Sequence, residues 1–160
     1  MNTFLIFLHV AAAILLLGPV VVATSMFPRQ VAEAQAGGEE ATGRASVLHR
    51  ITKTYGMLSL LVPLLGGAVL AFDWDTYKSN YWFHTAIVLS VIGWAILLAM
   101  VIPQQRKMMG TIGALPPAEA DPSDVTGKFE KSKAKATAGA GIFNLLWMLV
   151  LILMFLPDPS

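Results

Sequence analysis

Four apolar stretches, each close to the length of a bilayer crossing, constrain this chain more than any other feature. They cover residues 4–27, 55–72, 82–102 and 139–156. An α-helix needs about 20 apolar residues to cross a hydrocarbon core of about 30 Å. No period-two alternation runs through them, and backbone polar groups in lipid must be satisfied inside one helix or a closed barrel. The pattern therefore predicts an all-α fold: a polytopic membrane protein with four transmembrane helices in two hairpins. Composition agrees, because 13% of the 160 residues are charged and 56% are hydrophobic, whereas a globular domain carries roughly 25% charged residues. A soluble chain of this length has no core large enough to hide so much apolar surface. The uncharged opening MNTFLIFLHV lacks the positive n-region of a signal peptide, so it reads as the start of a retained span.

The whole of residues 1–160 reads as one transmembrane domain. Pro19 predicts a kink in the first span, and the third is expected to stop at Pro103. The second is short and carries Pro63 with Gly66-Gly67, the one candidate break. Residues 28–54 contain the polar run AEAQAGGEEATGR, suited to a surface helix or loop. Residues 104–138 contain the irregular GALPPAEADPSD followed by a basic helical approach, KFEKSKAKA. Orientation follows from Lys and Arg. Ten of the eleven lie in these two connections: Arg29, Arg44, Arg50, Lys53, Arg106, Lys107, Lys128, Lys131, Lys133 and Lys135. Only Lys78 lies in the short 73–81 connection. The long connections are therefore expected in the cytoplasm, with both termini outside and Trp74, Tyr77, Tyr81 and Trp82 forming an aromatic belt at the outer boundary.

The residue inventory narrows the chemistry. No cysteine is present, which excludes disulfides, thiolate metal sites and cysteine nucleophiles. The net charge of +1 gives no reason to expect a nucleic-acid partner. None of the spans holds Asp, Glu, Lys or Arg, the groups that pumps and voltage sensors place inside the bilayer. His9, His84 and Asn144 remain. His9 and His84 sit toward the same outer face, on the first and third spans. If those helices touch, the two imidazoles are candidate ligands for haem iron, a metal ion or a quinone headgroup. Plain core and interface roles are the alternative. His49 lies at the cytoplasmic end of the second span, out of reach of an outer site. Asn144 is suited to an interhelical hydrogen bond, and the pairs Gly67/Ala71, Ala86/Ser90, Ala95/Ala99 and Ala136/Ala140 to close helix approach. The methionines read as packing filler. Arg106, Lys107, Lys131, Lys133 and Lys135 are placed to meet anionic lipid headgroups, cardiolipin among them.

The segment FLHVAAAILLLGPV, with a histidine early in the first helix and a glycine nine residues later, resembles a broad group of small bacterial membrane proteins. More distantly that group includes copper-resistance membrane proteins and the membrane type of protoporphyrinogen oxidase, in which a first-helix histidine is associated with haem or metal. The overall layout resembles the small accessory subunit of bacterial cytochrome bcc–aa3 oxidase supercomplexes, the respiratory supercomplex association factors. That second resemblance implies a non-catalytic subunit of the bacterial cell membrane, with no cofactor of its own. Its neighbours would be membrane lipids and cytochrome b or oxidase subunits. A haem- or metal-binding oxidoreductase-like protein using His9 and His84 is the alternative reading, and a small transporter a further one.

Overall fold

The computed structural model describes residues 2–124 and 126–156. Among these the fold is helical throughout, with four helices long and apolar enough to cross a membrane: α1 (Thr3–Gln35), α2 (Glu39–Phe72), α3 (Tyr81–Thr111) and α4 (Phe129–Phe155). The sequence expectation of an all-α multi-pass membrane protein is met. The helices run well past the apolar stretches. At about 1.5 Å per residue, the 33 residues of α1 reach some 20 Å beyond a hydrocarbon core of about 30 Å.

Residues 28–54 are thus almost wholly helix. Pro28 lies inside α1, which ends at a tight turn over residues 36–38. Gly37 adopts φ 98°, its N–H donates to Ala34 O and that of Gly38 to Glu33 O. These are the paired bonds of a Schellman cap, in which glycine accepts the left-handed backbone without a Cβ clash. Glu39 and Glu40 then open α2, where their charge suits the positive helix end. The same cap ends α3, with Gly113 at φ 69° and the Ala114 N–H donating to Met109 O. At the opposite end, the Asn80 side chain accepts the Phe83 N–H at 3.1 Å and starts α3.

Of the prolines singled out in the sequence, Pro103 departs from its expectation. Pro103 does not stop α3. A π-helical segment, Leu97–Val101, precedes it and the helix continues to Thr111. Pro19 follows a second such segment, Ala13–Leu17, at the same two-residue offset. A proline ring clashes with the carbonyl four residues back, and one widened turn moves that carbonyl aside. Pro63 has the sharper effect. Ser59 O has lost its ordinary partner four residues on and accepts instead from the Val62 N–H at 3.0 Å, so α2 breaks at Ser59–Leu60.

Helix α1 packs along α2 over both its halves, and α3 along α4, each pair antiparallel. The pairs join chiefly at the end carrying the long polar connections, where α1 meets α4 and α2 meets α3. We call this the basic end, and the opposite one the aromatic end. The central core gathers Leu17, Val20, Val62, Trp94, Leu97, Val101 and Phe143, which brings both π segments together. A second core at the basic end gathers Phe27, Val31, Ala45, Met108, Met109, Phe129 and Ala136. The aromatic end is held more lightly, by Val69, Ala86 and Val150 among the described residues.

Candidate functional site

The two candidate ligand histidines stand in different helix pairs. His9 is half-buried against α2, where its Nδ1–H donates to Val62 O at 2.9 Å. Its ring fills space that only a glycine leaves open, since a Cβ at Gly66 would lie 3.0 Å from His9 Cε1. Within the candidate break, Gly66 is therefore the residue that makes room for His9. His84 is exposed on α3, and its Nδ1–H donates to Asn80 O at 2.8 Å, one turn back on its own helix. The two imidazoles make no contact with each other. A carbonyl oxygen only accepts, so each neutral ring carries its proton on Nδ1 and leaves the Nε2 lone pair free.

At the basic end a polar set is closed on itself. His49, 7% exposed, donates from Nδ1 to Gln105 Oε1 at 3.3 Å, with the Phe27 ring 6.2 Å away. Residues 112–124 cross over this pair as a strap. Lys53 donates to Glu119 Oε1 at 3.1 Å, and Arg106 donates to Glu119 O at 2.6 Å. Arg106 also lies 3.4 Å from Asp124 Oδ2, whose side chain is 3% exposed. Asp124 fits because position 110 is glycine: a Cβ there would overlap its carboxylate. The Lys53 hydrogen bond holds the Glu119 carboxyl below the usual carboxylate range, and the Ser123 backbone N–H does the same for Asp121.

No known protein family, characterised protein or solved structure matches this chain. Its chemistry is read from its own geometry.

The basic residues divide by what they touch. Arg106 is committed to the strap, and Lys133 lies 3.7 Å from Glu130 on α4. Lys107, Lys131 and Lys135 are exposed and make no ion pair among the described residues. Arg44 is bound up with Gln30, Glu33 and Glu40 along an open groove between α1 and α2. A smaller cleft of about 50 Å³ lies beside the strap, lined by Lys107, Thr111, Ser123, Asp124, Lys128 and Ser132.

Asn144 makes the interhelical bond its residue type suggests, donating Nδ2–H to Ser25 Oγ at 2.9 Å across α4 and α1. The small-residue pairs split. Ala86, Ala136 and Ala140 are buried in the bundle, whereas Gly67/Ala71 and Ala95/Ala99 face outward. Sequence reasoning missed Gln105, Glu119, Asp124 and Ser132. Of these, Gln105 carried a signal only in standing next to Arg106; Glu119, Asp124 and Ser132 carried none.

Proposed function

We propose that this protein is a non-catalytic accessory subunit of a bacterial respiratory electron-transport supercomplex, seated in the cell membrane. Its basic end faces the cytoplasm and both termini lie outside. The observation that carries the reading is the outward placement of Gly67/Ala71 on α2 and Ala95/Ala99 on α3. Two small residues four apart let a second transmembrane helix approach closely enough for backbone packing, and among the described residues both pairs are left exposed. Two of the polar groupings at the basic end, the His49–Gln105 pair and the Arg106–Asp124 pair, are meanwhile spent within the chain. In the resemblance noted above, such a chain bridges cytochrome b and oxidase subunits. The test is a gentle-detergent pull-down from the native membrane, with mass spectrometry of the co-purifying chains. Stoichiometric cytochrome b and oxidase subunits are expected, and Gly67→Leu with Ala95→Leu should release them while leaving the chain in the membrane. Recovery of the chain alone would sink the reading.

One specific observation favours a second reading, a haem- or metal-binding protein. His9 and His84 both anchor Nδ1–H on a backbone carbonyl, the outer-sphere bond that orients a ligating imidazole and presents Nε2. The purified chain would then show a Soret band that His9→Ala abolishes. A colourless, metal-free preparation ends this reading and leaves the first untouched.

A further inference from the structure

The cleft beside the strap holds three hydrogen-bond donors that the protein does not use. Lys107 on α3 and Lys128 at the start of α4 are exposed ammonium groups with no ion pair among the described residues. Ser132, 6% exposed, is a buried hydroxyl on the cleft wall and makes no hydrogen bond with another described side chain or backbone group. The remaining lining is already engaged. The Thr111 hydroxyl donates to Lys107 O at 2.9 Å. Ser123 is turned to Asp121, and Asp124, the one carboxylate in the wall, faces Arg106. Two unpaired ammonium groups thus line the cleft against one carboxylate, Asp124, which Arg106 already pairs, so its field favours an anion.

The start of α4 strengthens this. The helix has no side-chain N-cap, and Lys128, Lys131, Lys133 and Lys135 crowd its first turns. A helix N-terminus favours negative charge and is destabilised by cations. This end carries the wrong sign along a 27-residue helix, relieved in part by Glu130 alone, which lies 3.7 Å from Lys133. The cleft volume of about 50 Å³ is several times the ~10–15 Å³ that one water requires, enough for a tetrahedral oxyanion. Two ammonium groups and a hydroxyl match the oxygens of a phosphate.

We propose that the cleft formed by Lys107, Lys128 and Ser132 binds a phosphate group, supplied either by the headgroup of an anionic phospholipid or by a soluble phosphate compound. The site lies on the polar extensions of α3 and α4 beyond their apolar spans. It is independent of which assembly the chain joins.

The experiment uses the full chain purified in detergent, with native mass spectrometry and thermal melting as readouts. The probes are phosphatidylglycerol, phosphatidylcholine and inorganic phosphate. Retention of phosphatidylglycerol over phosphatidylcholine, weakened about tenfold or more by Lys107→Gln with Lys128→Gln, supports the lipid source. Stabilisation by inorganic phosphate through the same lysines, without lipid preference, supports the soluble source. Ser132→Ala removes no charge and should weaken either ligand by a smaller factor. The pair Lys131→Gln with Lys135→Gln removes equal charge from residues that do not line the cleft and should weaken either ligand far less than the cleft pair. If the control pair loses as much binding as the cleft pair, diffuse surface attraction explains the result and the site is overturned. Unchanged binding in the cleft pair overturns it equally.

Discussion

Single residues at the basic end act through what they leave room for. An ordinary Gly→Ala exchange inside a helix gains about 0.5–1 kcal/mol. At Gly110 the sign should reverse, because the new Cβ takes the place of the Asp124 carboxylate and separates it from Arg106. Gly110→Ala is expected to cost about 1 kcal/mol and to speed protease cleavage within residues 112–124. Glu119 gives the strap a pH dependence. Its carboxyl is held below the usual range, chiefly by the Lys53 hydrogen bond. That contribution is present above the ordinary glutamate titration range and fades as pH falls through the lowered value. The chain has no cysteine, so a spin label on Ala118→Cys would be unique. Its mobility should be low at neutral pH and rise on strong acidification, and a mobility indifferent to acid would refute this role for the Lys53–Glu119 contact.

At the scale of helices, the contact between α3 and α4 depends on a missing side chain. A Cβ at Gly139 would lie 3.0 Å from Val101 Cγ2 and 3.3 Å from Met100 Cγ. Gly139→Leu should force these helices apart and cost about 1–3 kcal/mol, as overpacking does, read as a lower melting temperature. The existence and order of the helices were legible in the apolar runs, because the bilayer fixes both their length and their hydrogen bonding. The ends were harder. AEAQAGGEE carries its own cap in Gly37, yet its polarity left surface helix and loop both open. The polarity reflects helix extending into water, which hydropathy cannot separate from coil. Pro103 pointed to an end for the same kind of reason. A π turn is a backbone adjustment with no composition of its own. The candidate site was least legible, since Lys107, Lys128 and Ser132 meet through the packing of α3 on α4, with no spacing rule to announce it.

The whole molecule is organised between two unlike ends. One is knitted together by a polar strap and a core of large side chains, the other by a few small contacts and exposed aromatics such as Trp74 and Tyr81. The charge asymmetry predicts which compartment each end faces. In intact cells stripped of their outer envelope, an impermeant maleimide should label Lys78→Cys. Lys131→Cys should label only after the membrane is opened, and the reverse pattern would invert the proposed topology.

The paired π segments have a further consequence. Each inserts roughly one extra residue into a helical turn, and each residue is worth about 100° of rotation. The aromatic half of α1 is thereby clocked against its basic half, and α3 is clocked in the same manner. Removing one residue from Ala13–Leu17 would tighten the turn and swing the face bearing His9 away from Val62, while Phe27 and Val31 kept their azimuth. The two halves of each helix are in effect separate dials on one shaft, so substitutions that re-aim the membrane-facing side of one end need not disturb the other.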